Sequence, residues 1–243
     1  MFSFHLKRTG MDIVGHLMLL ILPLVLITFL SYVFSNGIVS SGVPIDISLV
    51  STPLTIGAAL TFQIYGAALS FETLGEDFFT PMHDRLLASP ANPRKIIMSI
   101  LSTCSIVSFL QTIVILIFSM IVLDAKYSNI SIIIILMFLS VVFNQLLGSV
   151  ILFFAKKVST ASGIMTFYGI IAPMITEVYF PLPDNKIFNF IKRYLAPMGL
   201  TKTAIMGAIQ GNVKDVILAT IPLLVYIIVL FILLKPLIKK IID

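Results

Sequence analysis

The chain has 243 residues and a formal net charge of +5; 58% of its residues are hydrophobic and only 11% are charged. A water-soluble domain of this size carries far more charge, so the composition excludes a soluble globular protein and favours a membrane domain. The positive charge does not indicate nucleic-acid binding, because the Lys and Arg residues lie at the ends of apolar stretches and form no continuous basic face.

Six apolar stretches are long enough to cross a bilayer, which takes roughly 20 helical residues. Continuous apolar runs without alternation favour helices over a transmembrane barrel, because a helix satisfies its own backbone in lipid. The connections are too short for a separate soluble domain. We therefore predict an all-α membrane protein with a single domain over residues 1–243. The predicted spans are 12–34, 53–71, 98–123, 130–154, 160–176 and 216–234.

The charges flanking the spans predict a topology. The first span is too long for a signal-peptide core and no small-residue cleavage pattern follows it, so we expect it to be retained. A cytoplasmic amino terminus puts ten of the sixteen basic residues inside, as the positive-inside rule favours. We therefore expect a multi-pass protein of the cell membrane, in a bacterial plasma membrane, with both termini cytoplasmic. The connection between spans five and six is an exception, because it carries five basic residues on the outer side.

The connection between spans two and three contains a helix-start signal. Thr80 offers a capping hydroxyl, and Pro81 suits the first position of a helix. The helix is expected to run to Ala88 and to end before Pro90. The sequence therefore predicts a short, rigid helix on the cytoplasmic side.

The connection between spans five and six predicts two further helical segments. Apolar residues recur at helical spacing between 187 and 195, and Pro197 limits that segment. A second stretch at 201–210 stops at Gly211. We predict an outer re-entrant helical hairpin; a helix lying in the membrane interface fits the same pattern equally well.

The interior of the spans offers amides and small residues. The amides Gln63, Gln111, Asn144 and Gln145 either line a transport pathway or join helices by hydrogen bonds. Small residues allow close approach of spans two and five, either between two subunits or within one. They are Gly57, Ala58, Gly66, Ala67, Ser70, Ala161, Gly163 and Gly169.

Two segments resemble the type-2 family of ATP-binding-cassette exporter permeases. Residues 83–90, HDRLLASP, followed by PRKI at 93–96, are similar to the family's cytoplasmic motif of an acidic residue, Arg, two Leu, a small pair and Pro. Residues 180–183, FPLP, and 194–198, YLAPM, are similar to its outer re-entrant hairpin. The order of these segments within six spans also resembles the family.

The resemblance implies a membrane subunit with a coupling helix that contacts a cytoplasmic ATP-binding subunit. No Gly-Lys pair is present for a phosphate-binding loop. ATP and Mg²⁺ are therefore expected on the partner ATPase, with no cofactor on this chain. The other expected partners are a second permease subunit, identical or related, and membrane lipids. The expected ATPase contacts are Glu72, Glu76, Asp84, Arg85, Leu86, Leu87 and Pro90, and the expected hairpin residues are Phe180, Pro181, Pro183, Tyr194 and Pro197.

The expected function is export of an amphipathic or hydrophobic compound, such as an antimicrobial peptide, a drug or a lipid-like molecule. Short outer loops and an apolar interior favour such cargo, and the resemblance also permits a polysaccharide. An ion-gradient-driven carrier and a non-transporting scaffold or sensor subunit remain alternatives.

Two observations weigh against a gradient-driven carrier and against an enzyme or metal-binding protein. A gradient-driven carrier usually places ionisable residues deep in its spans, and the carboxylates here lie near predicted span ends. Catalysis and metal binding are not expected, because His5, His16 and His83 are widely separated and match no ligand spacing.

Overall fold

The computed structural model describes residues 2–39, 48–88, 92–179, 185, 190, 192 and 195–242. Regular structure in these residues is entirely helical, so the all-α prediction is confirmed. The helices are α1 (Phe2–Gly10), α2 (Ile13–Val39), α3 (Ser48–Gly66), α4 (Ala68–Phe78), α5 (Met82–Ala88), α6 (Pro93–Val122), α7 (Ile130–Ala155), α8 (Val158–Ile175), α9 (Pro197–Gln210) and α10 (Val213–Ile242).

Six helical stretches are long and apolar enough to cross a membrane, as predicted, and they indicate a multi-pass membrane protein. The span formed by α3 and α4 is central and mostly buried, whereas α2 and α10 expose most of their apolar side chains. The stretches are Ile13–Ser35, Ser48–Phe78, Pro93–Val122, Ile130–Ala155, Val158–Ile175 and Val213–Ile241.

The second span is longer than predicted. It begins at Ser48 and continues as α4 to Phe78, whereas the sequence had placed its end at residue 71. Glu72 and Glu76 therefore lie on a helix and not in a loop. The helix continues because Leu74 and Phe78 are buried in the core, which compensates for the polar residues between them.

The two halves of this span meet at a local break. The amides of Ser70 and Phe71 both donate to the carbonyl of Ala67, at 3.2 and 3.3 Å. The carbonyl of Gly66 instead accepts a hydrogen bond from Gln145 Nε2 at 3.0 Å. A side chain from α7 thus replaces a backbone partner at the break.

The amino-terminal helix α1 was missed by the sequence analysis. It packs against α6 and buries His5 and Thr9, while Lys7 stays exposed. A helix of nine residues is too short to be stable by itself, so its tertiary contacts decide that it forms.

Contacts at the helix ends show that the spans alternate in direction. At one end, Arg8 contacts Asp77, and His83 Nε2 lies 3.2 Å from the carbonyl oxygen of Ile241. At the opposite end, Ser51 Oγ donates to the carbonyl of Leu123 at 3.0 Å. The first helix, α5 and the last helix therefore share one end of the bundle, which we call the terminal end.

Three of the small residues serve packing within the chain. A Cβ at Gly57 would overlap Val178, one at Gly66 would lie 2.8 Å from Ser108 Oγ, and one at Gly169 would lie 2.8 Å from the Tyr65 ring. Gly66 and Gly169 thus allow α3 to approach α6 and α8 within one subunit.

The outer connection is described in part. Helix α9 begins at Pro197, which occupies its first turn, whereas the sequence had placed its start at residue 201. It ends at Gly211 in the left-handed conformation, as predicted, with φ 73°. Its buried face contacts α3, α7, α8 and α10. The hairpin residues Phe180, Pro181, Pro183 and Tyr194 lie outside the described residues.

Candidate functional site

Helix α5 lies between spans two and three and is set in place by a capping residue. The amide of Met82 donates to Thr80 Oγ1 at 3.2 Å, and the same hydroxyl donates to the carbonyl of Glu76 at 2.6 Å. Thr80 thereby fixes the turn between α4 and α5, as the Thr-Pro signal predicted.

The predicted contact residues on α5 divide into exposed and packed side chains. Arg85 is exposed and the Asp84 side chain is 91% exposed, whereas Leu86 is half-buried against the core. The backbone of Leu87 continues the helix, but its side chain and Pro90 lie outside the described residues. The terminal end therefore presents an acidic and a basic group on a short anchored helix.

A groove of about 530 Å³ separates α5 from α1. Met82 and Leu86 contribute apolar surface, and Arg8, Glu76 and Asp77 contribute charges. Met82 is 45% exposed, which makes it an apolar side chain on a charged surface. We call this surface the α1–α5 groove.

Two carboxylates of this groove share one arginine of the same chain. Arg8 Nη2 lies 2.9 Å from Glu76 Oε2, and Arg8 Nη1 lies 2.7 Å from Asp77 Oδ1. The Asp77 side chain is 5% exposed, so its charge requires this partner. Glu76 was predicted to contact another subunit; its carboxylate is ion-paired at the groove's rim and the side chain is 69% exposed, so that contact stays a prediction. Glu72 is exposed on the same helix.

Arg8 and Asp77 were not predicted from the sequence as members of this site. Arg8 was counted only as a flanking topology charge. A signal for Asp77 was present, because it falls three residues after Leu74, on the face of α4 that carries most of its apolar residues.

The described amide side chains bond to different partners. Gln63 Nε2 donates to Thr112 Oγ1 at 3.1 Å, which joins α3 to α6. Asn144 Nδ2 donates to the carbonyl of Ser140 at 3.0 Å, within α7. Gln63 and Gln145 thus bond to neighbouring helices, whereas the bond of Asn144 lies within its own helix; a transport pathway lined by these amides stays a prediction.

Gln111 belongs to a polar relay that reaches the end of α1. Its Nε2 lies 2.9 Å from His16 Nδ1, and His16 Nε2 lies 2.7 Å from the carbonyl oxygen of Thr9. Because the amide nitrogen only donates, Nδ1 accepts and the Nε2 proton is donated to Thr9. Gln111 therefore connects α6 through α2 to the end of α1.

The opposite end of the bundle carries a second charged cluster. Lys192 Nζ lies 2.6 Å from Glu177 Oε2. Lys202 Nζ donates to the carbonyls of Thr176 and Glu177, at 2.8 Å each. Lys202 thus satisfies carbonyls just after the end of α8, and both lysines complement its dipole. Burial lowers the pKa of Lys202 to about 8, and Lys192 contributes in the same direction while Glu177 opposes it.

Among the residues that the structure describes, no group of three or more His, Cys, Asp and Glu side chains is arranged to hold a metal ion. Comparison with known proteins adds no assignment: no family model, no curated protein and no solved structure matches this chain.

Proposed function

We propose that this chain is the membrane-spanning subunit of an ATP-driven exporter of the type-2 ATP-binding-cassette family, working with a separate cytoplasmic ATPase. The observation that carries the proposal is helix α5, a capped and exposed helix between spans two and three that follows α4 directly. It bears the neighbouring residues Asp84 and Arg85 at the terminal end, where α1 and the end of α10 also lie.

The α1–α5 groove supports a docking role for this end of the bundle. It offers apolar surface from Met82 and Leu86 beside the Arg8–Glu76 ion pair. A partner helix would bury the exposed part of Met82, and Asp84 and Arg85 would orient it. The terminal end is then the cytoplasmic side, which agrees with the excess of basic residues there.

The break in span two suggests how movement of α5 would be transmitted to the membrane-spanning helices. Thr80 ties α5 to α4, and α4 packs against α6, α7 and α8. The break at Ala67 separates α4 from α3, which lies at the centre of the bundle. Movement of α5 would therefore tilt α4 with a hinge at Ala67 and change the packing of the central spans.

The proposed cargo is an amphipathic or hydrophobic compound, exported by two such subunits, identical or related, in a bacterial plasma membrane. The large apolar surfaces of α2 and α10 support assembly with lipid and a second permease subunit. Helix α9, which packs between the spans near the end opposite to α5, would lie close to the exit.

The experiment replaces Arg85 or Leu86 with Glu and measures copurification of ATPase and cargo-stimulated ATP hydrolysis. Both variants should lose the ATPase, whereas Lys157→Glu, an exposed charge reversal in the turn between α7 and α8, should retain it. Wild-type copurification and hydrolysis in both α5 variants would refute the contact. Transport that persists without any ATPase and stops with an ionophore would replace the exporter with a gradient-driven carrier.

A further inference from the structure

A long apolar groove runs between α6 and α10, with α7 as its floor. It consists of two adjoining cavities of about 460 and 690 Å³ that share Met98, Phe231 and Lys235. The wall contains Ile106 from α6 and Ile228 from α10, which are 39% and 57% exposed. The groove thus opens sideways, between two candidate membrane spans, and not only at the end of the bundle.

The length of the groove matches one leaflet of a bilayer. On α6 it extends from Arg94 to Ile106, which at about 1.5 Å per residue corresponds to about 18 Å. The hydrocarbon core of a bilayer is about 30 Å thick, so a groove of this length ends near its midplane. An acyl chain has a suitable length and chemistry to fill it.

The mouth of the groove, at the terminal end, is cationic. Arg94, Lys235 and Lys239 line the smaller cavity and are exposed, and none of them is ion-paired within the described part of the chain. Lys235 Nζ lies 5.3 Å from the centroid of the Phe231 ring, which holds the ammonium at the rim. Cations at headgroup level above an apolar groove match an amphiphile with an anionic head.

The polar side chains deeper in the groove do not make it less suitable for an amphiphile with an anionic head. Ser102 and Ser105 contribute to the wall, and Gln145 contributes to the floor. The Gln145 amide nitrogen is already bonded to the carbonyl of Gly66.

We propose that this groove binds one anionic phospholipid from the leaflet on the side of both termini. Its phosphate lies among Arg94, Lys235 and Lys239, and one acyl chain lies along α6 and α10. A second copy of this chain is a poorer occupant, because a symmetric contact here would bring a second set of three cations to the same level. The proposal depends on the membrane location and not on the exporter function.

The chain contains no tryptophan, so a single introduced indole gives the only tryptophan fluorescence. Phe231→Trp places it in the groove and preserves the aromatic ring beneath Lys235. The matched control is Phe154→Trp, an exposed position near Lys156 and Lys157 that does not line the groove. Each variant is reconstituted in equal amounts of phosphatidylcholine and phosphatidylglycerol, with acyl-chain bromines on one lipid at a time.

The expected result is a ratio of quenching by brominated phosphatidylglycerol to quenching by brominated phosphatidylcholine that is several-fold higher for Phe231→Trp than for Phe154→Trp. Adding Lys235→Gln and Lys239→Gln to Phe231→Trp should lower this ratio to the control value. Adding Lys156→Gln and Lys157→Gln to Phe231→Trp should leave the quenching ratio unchanged. Basic residues that only attract anionic lipid to the surface would not produce this difference.

Equal ratios at the two positions, or a high ratio that survives removal of both groove lysines, would overturn the proposal. Protection of the Phe231→Trp indole from both lipids would also overturn it, because a second protein subunit would then cover the groove. Native mass spectrometry of the unmodified protein supplies a second measurement: phosphatidylglycerol should be retained in preference to phosphatidylcholine, and equal retention counts against the site. None of these readouts requires the ATPase, so they distinguish failure of the lipid site from failure of the proposed function.

Discussion

Arg8 and Asp77 are 69 residues apart in the chain and form an ion pair with Nη1 and Oδ1 separated by 2.7 Å. The pair connects the amino-terminal helix α1 to the end of the second span. Arg8 also holds Glu76, so one guanidinium organises the rim of the α1–α5 groove.

Arg8→Gln should destabilise the protein by about 1–3 kcal/mol, because it leaves the buried Asp77 carboxylate without its cation. Thermal unfolding in mild detergent measures the loss. Lys7→Gln, an exposed change on the same helix, should have little effect. Adding Asp77→Asn to Arg8→Gln should recover part of the loss; a double variant that is less stable than Arg8→Gln would show that the buried charge is not the cause.

Gln145→Leu should cost about 1–3 kcal/mol, because it removes the hydrogen bond to the Gly66 carbonyl at the break in span two. Gln63→Leu is the matched control: its partner Thr112 still donates to the carbonyl of Ser108, so we expect a smaller loss. The same unfolding assay ranks the two variants. Equal losses would contradict a special role for the amide at the break.

Thr80→Ala should loosen α5 by about 1 kcal/mol, because it removes the capping hydroxyl that accepts from Met82. Hydrogen exchange of the α5 amides should accelerate about fivefold, the factor that corresponds to this free energy. Thr73→Ala, which removes a hydroxyl bonded only within α4, should leave α5 exchange unchanged. Unchanged exchange in Thr80→Ala would mean that tertiary contacts alone hold the helix.

Gly169→Ala should destabilise the bundle by about 1–3 kcal/mol, because the added Cβ would lie 2.8 Å from the Tyr65 ring and force α3 and α8 apart. Gly163→Ala, on the same helix, meets nothing within 4 Å and should not destabilise. Unfolding temperatures of the two variants test this difference. A loss confined to Gly163→Ala would instead point to a contact with another subunit on that face.

Lys202 gives a pH dependence with a defined sign. Burial lowers its pKa from 10.5 to about 8, so between these values the unfolded chain binds more protons than the folded one. This residue's contribution to stability should therefore rise as the pH increases from about 8 to 10. The stability of the wild type relative to Lys202→Gln should increase over that interval. A difference that stays constant with pH would show that Lys202 titrates normally.

Two helix ends were predictable from the local sequence. The cap and start of α5 were predictable from Thr80 and Pro81, because a capping hydroxyl and a fixed φ act within a few residues. The end of α9 at Gly211 was predictable for the same reason. The extension of span two through Glu72 and Glu76 was not, because the burial of Leu74 and Phe78 against other helices outweighs the polar residues between them.

The sequence by itself determined that the protein is helical and has six stretches long and apolar enough to cross a membrane, since lipid provides no hydrogen bonds and each span must satisfy its own backbone. Only the tertiary structure decided which helices pair, where span two breaks, and which charges neutralise each other. Those outcomes depend on partners such as Gln145 and Gly66, or Arg8 and Asp77, that are far apart in the chain and meet only when the helices pack. Periodicity along one helix carries no information about the residue that will face it from another.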